Sequence, residues 1–248
     1  MKLHASRLLR PLPWIVLTLL LAACGGGGSG GSDPATQPPA PPPEPPPPQQ
    51  PLNATEATRF LSQATFGPSP QAVEALVDSG LESWFLAELE KPPSLHLQTV
   101  LAGFPEDGQF LDDNGNPLPE IVSLTSDSVW RTAIEGDDQL RQRMAFALSQ
   151  ILVVSANNSD LIRAPQTIAH YADILTEGAF GNYRDLLEEV TYSPAMAVYL
   201  TYLRNQRADP ETGRVPDENY ARELLQLFTI GLAELNPDGT PVTGYRRR

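Results

Sequence analysis

Eleven of the eighteen residues between positions 34 and 51 are proline. Proline fixes φ and lacks the amide N–H, so this stretch can be neither a helix interior nor a central strand. It favours extended polyproline II, which at ~3.1 Å per residue reaches roughly 55 Å. Residues 25–32 read GGGGSGGS, a flexible coil that adds ~15 Å. We therefore expect a disordered Gly/Pro-rich tether over 24–51, with a folded domain over 52–248. GGSGG at 27–31 spells the G-x-S-x-G nucleophile pattern. It lacks the strand before and the helix after that would expose the serine.

Upstream of the tether, Lys2, Arg7 and Arg10 precede an apolar run at 14–23 that ends in LAAC at 21–24. A basic start, a short apolar core and small residues before a break describe a secretory signal peptide over 1–23. The run has ten residues, whereas a helix that crosses a bilayer needs ~20. LAAC resembles the lipobox of bacterial lipoproteins. The resemblance implies that Cys24, the single cysteine, becomes the lipidated first residue after cleavage. Gly25 follows it where an aspartate would favour the inner membrane, which implies an outer-membrane location, periplasmic or surface-facing.

The chain has 17 Lys+Arg against 30 Asp+Glu, a formal charge of −13. Removing Lys2, Arg7 and Arg10 with the leader leaves 14 basic residues against the same 30 acids, hence −16. Such a surface repels phosphate backbones and anionic headgroups. Nucleic acid is not an expected partner. The expected partners are the membrane, through the N-terminal lipid, and an envelope protein or polymer.

From Leu52 the text is helical. Asn53 with Glu56 three residues later forms a cap pair. Ser69-Pro70 is a cap followed by the helical position that suits proline, and Gly80 stops that segment. LESWFLAELEK ends at Pro92-Pro93, Asn182 can cap YRDLLEEVTY, and Ser193-Pro194 opens AMAVYLTYL. Residues 138–154 read as the strongest core helix. DDNGNP and NPDGTP can each close a small hairpin. The expectation is all-α: a multi-helix domain with long loops at 93–125, 155–165 and 205–216.

No H-E-x-x-H, phosphate loop, C-x-x-C or Rossmann glycine set is present. Beyond the leader the histidines are His96 and His170, far apart and thin material for zinc. Asp112, Asn114 and Asn116 copy the opening ligands of an EF-hand loop, but Pro117 stands where that loop needs glycine and Ser123 where it needs glutamate. No metal and no cofactor is expected.

Four blocks in order are recognisable: RFLSQATFGPS (59–69), DQLRQRMAFALSQILVVS (138–155), AFGNYRDLLEEVTYSPAM (179–196) and ENYARELLQLFTIG (218–231). They resemble the bacterial domain of unknown function 1800 family. The resemblance implies an exported, largely helical protein whose activity is not established. Members often read N-E-N-Y-A-R-E-L-M-E-L-F; here Asp217 replaces the first Asn and Gln226 the later Glu. They usually continue for a couple of hundred residues past this block, so the resemblance implies that this chain is truncated at its C-terminus.

Placed on a helix at 100° per residue, 218–230 gathers Tyr220, Ala221, Leu224, Leu225, Leu227 and Phe228 into an arc of about 160°. Glu218, Asn219, Arg222, Glu223, Gln226 and Thr229 fill the other side. Asp217 can cap its start and Gly231 its end, so an ordinary amphipathic helix accounts for the charges. Residues 144–154 are apolar on nearly every side, which predicts a central helix, and Arg141 falls on the stripe of Ala145, Leu148 and Leu152. A buried arginine needs a partner. The expectation is a polar cluster of Glu218, Asn219, Arg222 and Glu223 turned toward Arg141 or Arg143. Two functions compete: a non-catalytic binding or assembly module on a tether, and an envelope hydrolase built on that cluster.

Overall fold

The structure, a computed structural model, describes residues 52–106 and 108–242. Cys24, the leader and the tether lie outside the described residues. Ten α-helices occur among the described residues: α1 Ala54–Ala64, α2 Pro70–Ser79, α3 Leu81–Glu90, α4 Leu97–Ala102, α5 Pro119–Glu135, α6 Gln139–Ser149, α7 Pro165–Glu177, α8 Tyr183–Tyr192, α9 Pro194–Tyr199 and α10 Asn219–Glu223. The all-α class is as expected, and the residues of DDNGNP and NPDGTP sit in isolated bridges, Leu111 with Pro117 and Leu235 with Pro241.

The helix starts follow local chemistry. Asn53 and Glu56 make a reciprocal capping box at α1. The Ser69 side chain accepts from the Ala72 amide, and the Asn182 side chain from that of Arg184. Proline opens α2, α5, α7 and α9, where a missing N–H costs no intrahelical bond. Gly80, at φ 77°, joins α2 to α3 with no linker between them, in backbone space that other L-residues resist.

The core forms around α7, which packs against α4, α5, α6, α8 and α9. Leu152, Leu161, Leu175, Val190, Ala195 and Met196 are its most buried apolar side chains. Gly178 keeps the turn after α7 close to α8: a Cβ there would stand 2.7 Å from Leu186 Cδ1. A smaller cluster joins Ala57, Leu61 and Leu76, with Phe60 and Trp84 edge to face at 5.2 Å beside it.

Three expectations are corrected. The loop placed at 93–125 contains α4 and the start of α5. Thr125 and Ser128 occupy buried positions of α5, so its inner face carries no clear apolar period. The helix expected over 138–154 stops at Ser149. The Leu152 carbonyl accepts from Tyr171 Oη at 2.6 Å, which ties this turn to α7. The helix expected over 218–230 is α-helical only over α10 and then widens into a π-turn, Leu224–Phe228. That widening breaks the 100° register, so Tyr220 and Phe228 are buried while Leu225 and Leu227 are exposed.

Candidate functional site

Glu218 and Arg222 form an ion pair one turn apart, both largely exposed. Glu223 and Asn219 are half-buried on the same short helix. Asp217 acts as its anchor: its Oδ1 accepts from the Asn219 amide at 2.8 Å and its Oδ2 from Thr201 Oγ1 at 2.7 Å. The Thr201 bond, then that from the Asn219 amide, holds the Asp217 carboxyl below the usual carboxylate range.

The expected pairing with the arginines is not made. Arg141 donates long bonds of 3.4–3.5 Å to the carbonyls of Thr176, Leu89 and Lys91, and its guanidinium carbon sits 4.6 Å from the Phe180 ring centroid. These carbonyls lie at or near the C-terminal ends of α7 and α3, where the helix dipole favours a cation. Arg143 donates to the Gln63 carbonyl at 3.2 Å. Among the described residues, neither arginine forms an ion pair.

The buried charges instead join the helices that meet α6 and α7. Asp173 on α7 accepts from the amides of His96 (2.6 Å) and Leu97 (3.1 Å), which start α4. Glu88 on α3 accepts from the Leu140 amide on α6 and from Lys91. Asp138, just ahead of α6, accepts from the Ser94 amide and from Gln142 Nε2. Burial pushes the Asp138 carboxyl up, but the Ser94 and Gln142 bonds outweigh it and hold it low. Each carboxylate thus satisfies an amide that another element leaves unpaired.

His96 lies inside this network, 2% exposed, with Nδ1 3.1 Å from Ser128 Oγ. Burial depresses its pKa below 6.5, against the opposing fields of Asp173 and Asp138 and a Gln142 hydrogen bond. Gln142 Nε2 is already donated to the Ser94 carbonyl and to Asp138. Its oxygen is what remains to face the imidazole, and Nδ1 is then free to accept from Ser128. Ser128 borders a hollow of about 300 Å³ with Asp127 and Arg131. Sequence reading missed this pair because its residues stand 32 apart on different elements.

A larger groove of about 500 Å³ runs between α5, α6 and the start of α7. Phe66, Val122, Trp130, Phe146, Ile162 and Ile168 supply its apolar walls. None of its lining residues is Asp, Glu, Lys, Arg or His, in a chain of net charge −13. The hydroxyls of Ser123, Ser126, Ser149 and Thr125 donate to backbone carbonyls, and Ser149 Oγ also accepts from Gln150 Nε2 at 3.1 Å. The groove explains the apolar run at 144–154: Ala145 and Leu152 face the core, while Phe146 is 39% exposed along the groove. Trp130 on α5 is 57% exposed, and nothing in its sequence neighbours marked it as a wall.

Asp112 accepts from the amides of Asn114 and Asn116 and thereby locks its own turn. Among the described residues, no group of three His, Cys, Asp or Glu side chains is placed to hold a metal ion. A family model described as Protein of unknown function (DUF1800) matches residues 59–246. No curated protein and no solved structure matches the chain.

Proposed function

We propose, on the premise that this chain belongs to the family described as Protein of unknown function (DUF1800), that it is a membrane-tethered binding module of the bacterial envelope. Its ligand carries an apolar chain or segment that is held in the α5–α6–α7 groove. The observation that carries this reading is a ligand-sized, charge-free groove in a strongly acidic chain. Apolar walls exposed to this extent mark interaction sites. Lipid attachment at Cys24, an outer-membrane location and a proline-stiffened tether complete the proposal, supported by LAAC and residues 25–51. Calorimetric titration with dodecanol tests the groove. Binding is expected in the wild type and lost in Val129→Phe, with the helical circular dichroism unchanged; a wild type that takes up no dodecanol sinks the reading.

A second reading, an envelope hydrolase, is favoured by one observation: the hydrogen bond of Ser128 with a depressed, neutral His96 beside the smaller hollow. It rests on that pair rather than on Glu218, Asn219, Arg222 and Glu223. Ser128 Oγ would attack an ester carbonyl while His96 takes its proton and returns it to the leaving alcohol. Fluorophosphonate labelling that is absent from the wild type, or equal in Ser128→Ala, removes this reading.

A further inference from the structure

We infer that the groove takes a single-chain fatty carboxylate, with its chain along the apolar walls and its head on Arg143. This rests on the groove being a ligand site, as proposed above. Phe66 and Phe146 meet edge to face at 5.8 Å and both line the groove. Phe146 also lines a second apolar hollow of about 510 Å³, whose lining includes Met144, Leu140 and Arg143. Phe146 therefore borders both hollows, and Phe66 stands against it on the groove side. Arg143 sits over both rings, its guanidinium carbon 5.4 Å from one centroid and 5.5 Å from the other.

The guanidinium is committed only in part. Nε donates to the Gln63 carbonyl, and among the described residues no carboxylate pairs with Arg143. Its two Nη groups remain as a planar fork beside an uncharged groove. That fork matches a carboxylate in a bidentate arrangement. One cation balances one negative charge, whereas a phosphate monoester brings about 1.5 to 2. The aromatic pair beside the guanidinium gives it cation–π contacts that help to hold it in place.

The test compares dodecanoate, dodecanol and dodecyl phosphate by calorimetry on the full chain, wild type and Arg143→Gln. Dodecanoate is expected to bind about tenfold more tightly than dodecanol. In Arg143→Gln that gap closes, because dodecanoate loses more affinity than dodecanol, and Arg143→Lys keeps part of it. If Arg143→Gln does not fold, the wild-type gap must still shrink as ionic strength rises. Equal binding of dodecanoate and dodecanol overturns the inference and leaves the groove reading standing. Tighter binding of dodecyl phosphate overturns the choice of carboxylate. Binding of none of the three removes the groove reading and this inference with it.

Discussion

Two regions of this molecule use carboxylates in opposite ways. Where α3, α4, α6 and α7 meet, Glu88, Asp138 and Asp173 are buried and reach backbone amides 44 to 77 residues away. Beyond Leu200, Asp209, Asp217 and Asp238 are bonded to groups only 2 to 16 residues away. The first set decides which helices touch; the second shapes turns. A carboxylate's structural weight thus follows from its burial and the distance of its partner along the chain.

The contrast is sharpest at Asp173. Asp173→Ala strands two amides at the start of α4 and should cost about 3 kcal/mol in urea unfolding; a loss under about 1 kcal/mol would break the contrast. The same region should be pH-sensitive through His96. Its folded pKa is depressed by burial, so the folded protein binds fewer protons than the unfolded chain as pH falls through 6.5. Stability is therefore full above that pH and declines below it, by up to about 1.4 kcal/mol per pH unit. His96→Asn should flatten the profile between about pH 7 and 5, read by denaturant midpoints.

Beyond Leu200 the effects shrink. Asp217→Ala should speed hydrogen exchange at the Asn219 amide with a smaller change in unfolding midpoint than Asp173→Ala, because the segment loosens without separating core helices. Glu218→Gln removes only the exposed pair with Arg222 and should change stability by about 0.5 kcal/mol or less. A larger effect would mean that α10 carries more of the fold than its exposure implies.

The same divide explains what could be read in advance. The caps at Asn53, Ser69 and Asn182 depend on partners two or three residues away, so their letters suffice. Arg141 does not work this way. Its need for a partner was legible, but the carbonyls that meet it come from α3, α7 and the residue after α3 and carry no side-chain signature. Helix α5 was hidden for a related reason, since hydroxyl residues sit at its buried positions: Thr125 Oγ1 donates to the Pro165 carbonyl and Ser128 faces His96. The groove was half legible. Residues 144–154 announced apolar faces on all sides, yet one of those faces looks into the groove rather than into the core.

Asp173 also sets an order of events during synthesis. Helix α4 has six residues, far fewer than the ~12–15 at which an isolated helix becomes even marginal in water. The carboxylate that holds its first amides is added 76 and 77 residues after them. A chain emerging from the ribosome therefore carries residues 97–102 as unsecured backbone until α7 has followed. The stretch from α4 to α7 closes as one loop, and α4 is among its last elements to form.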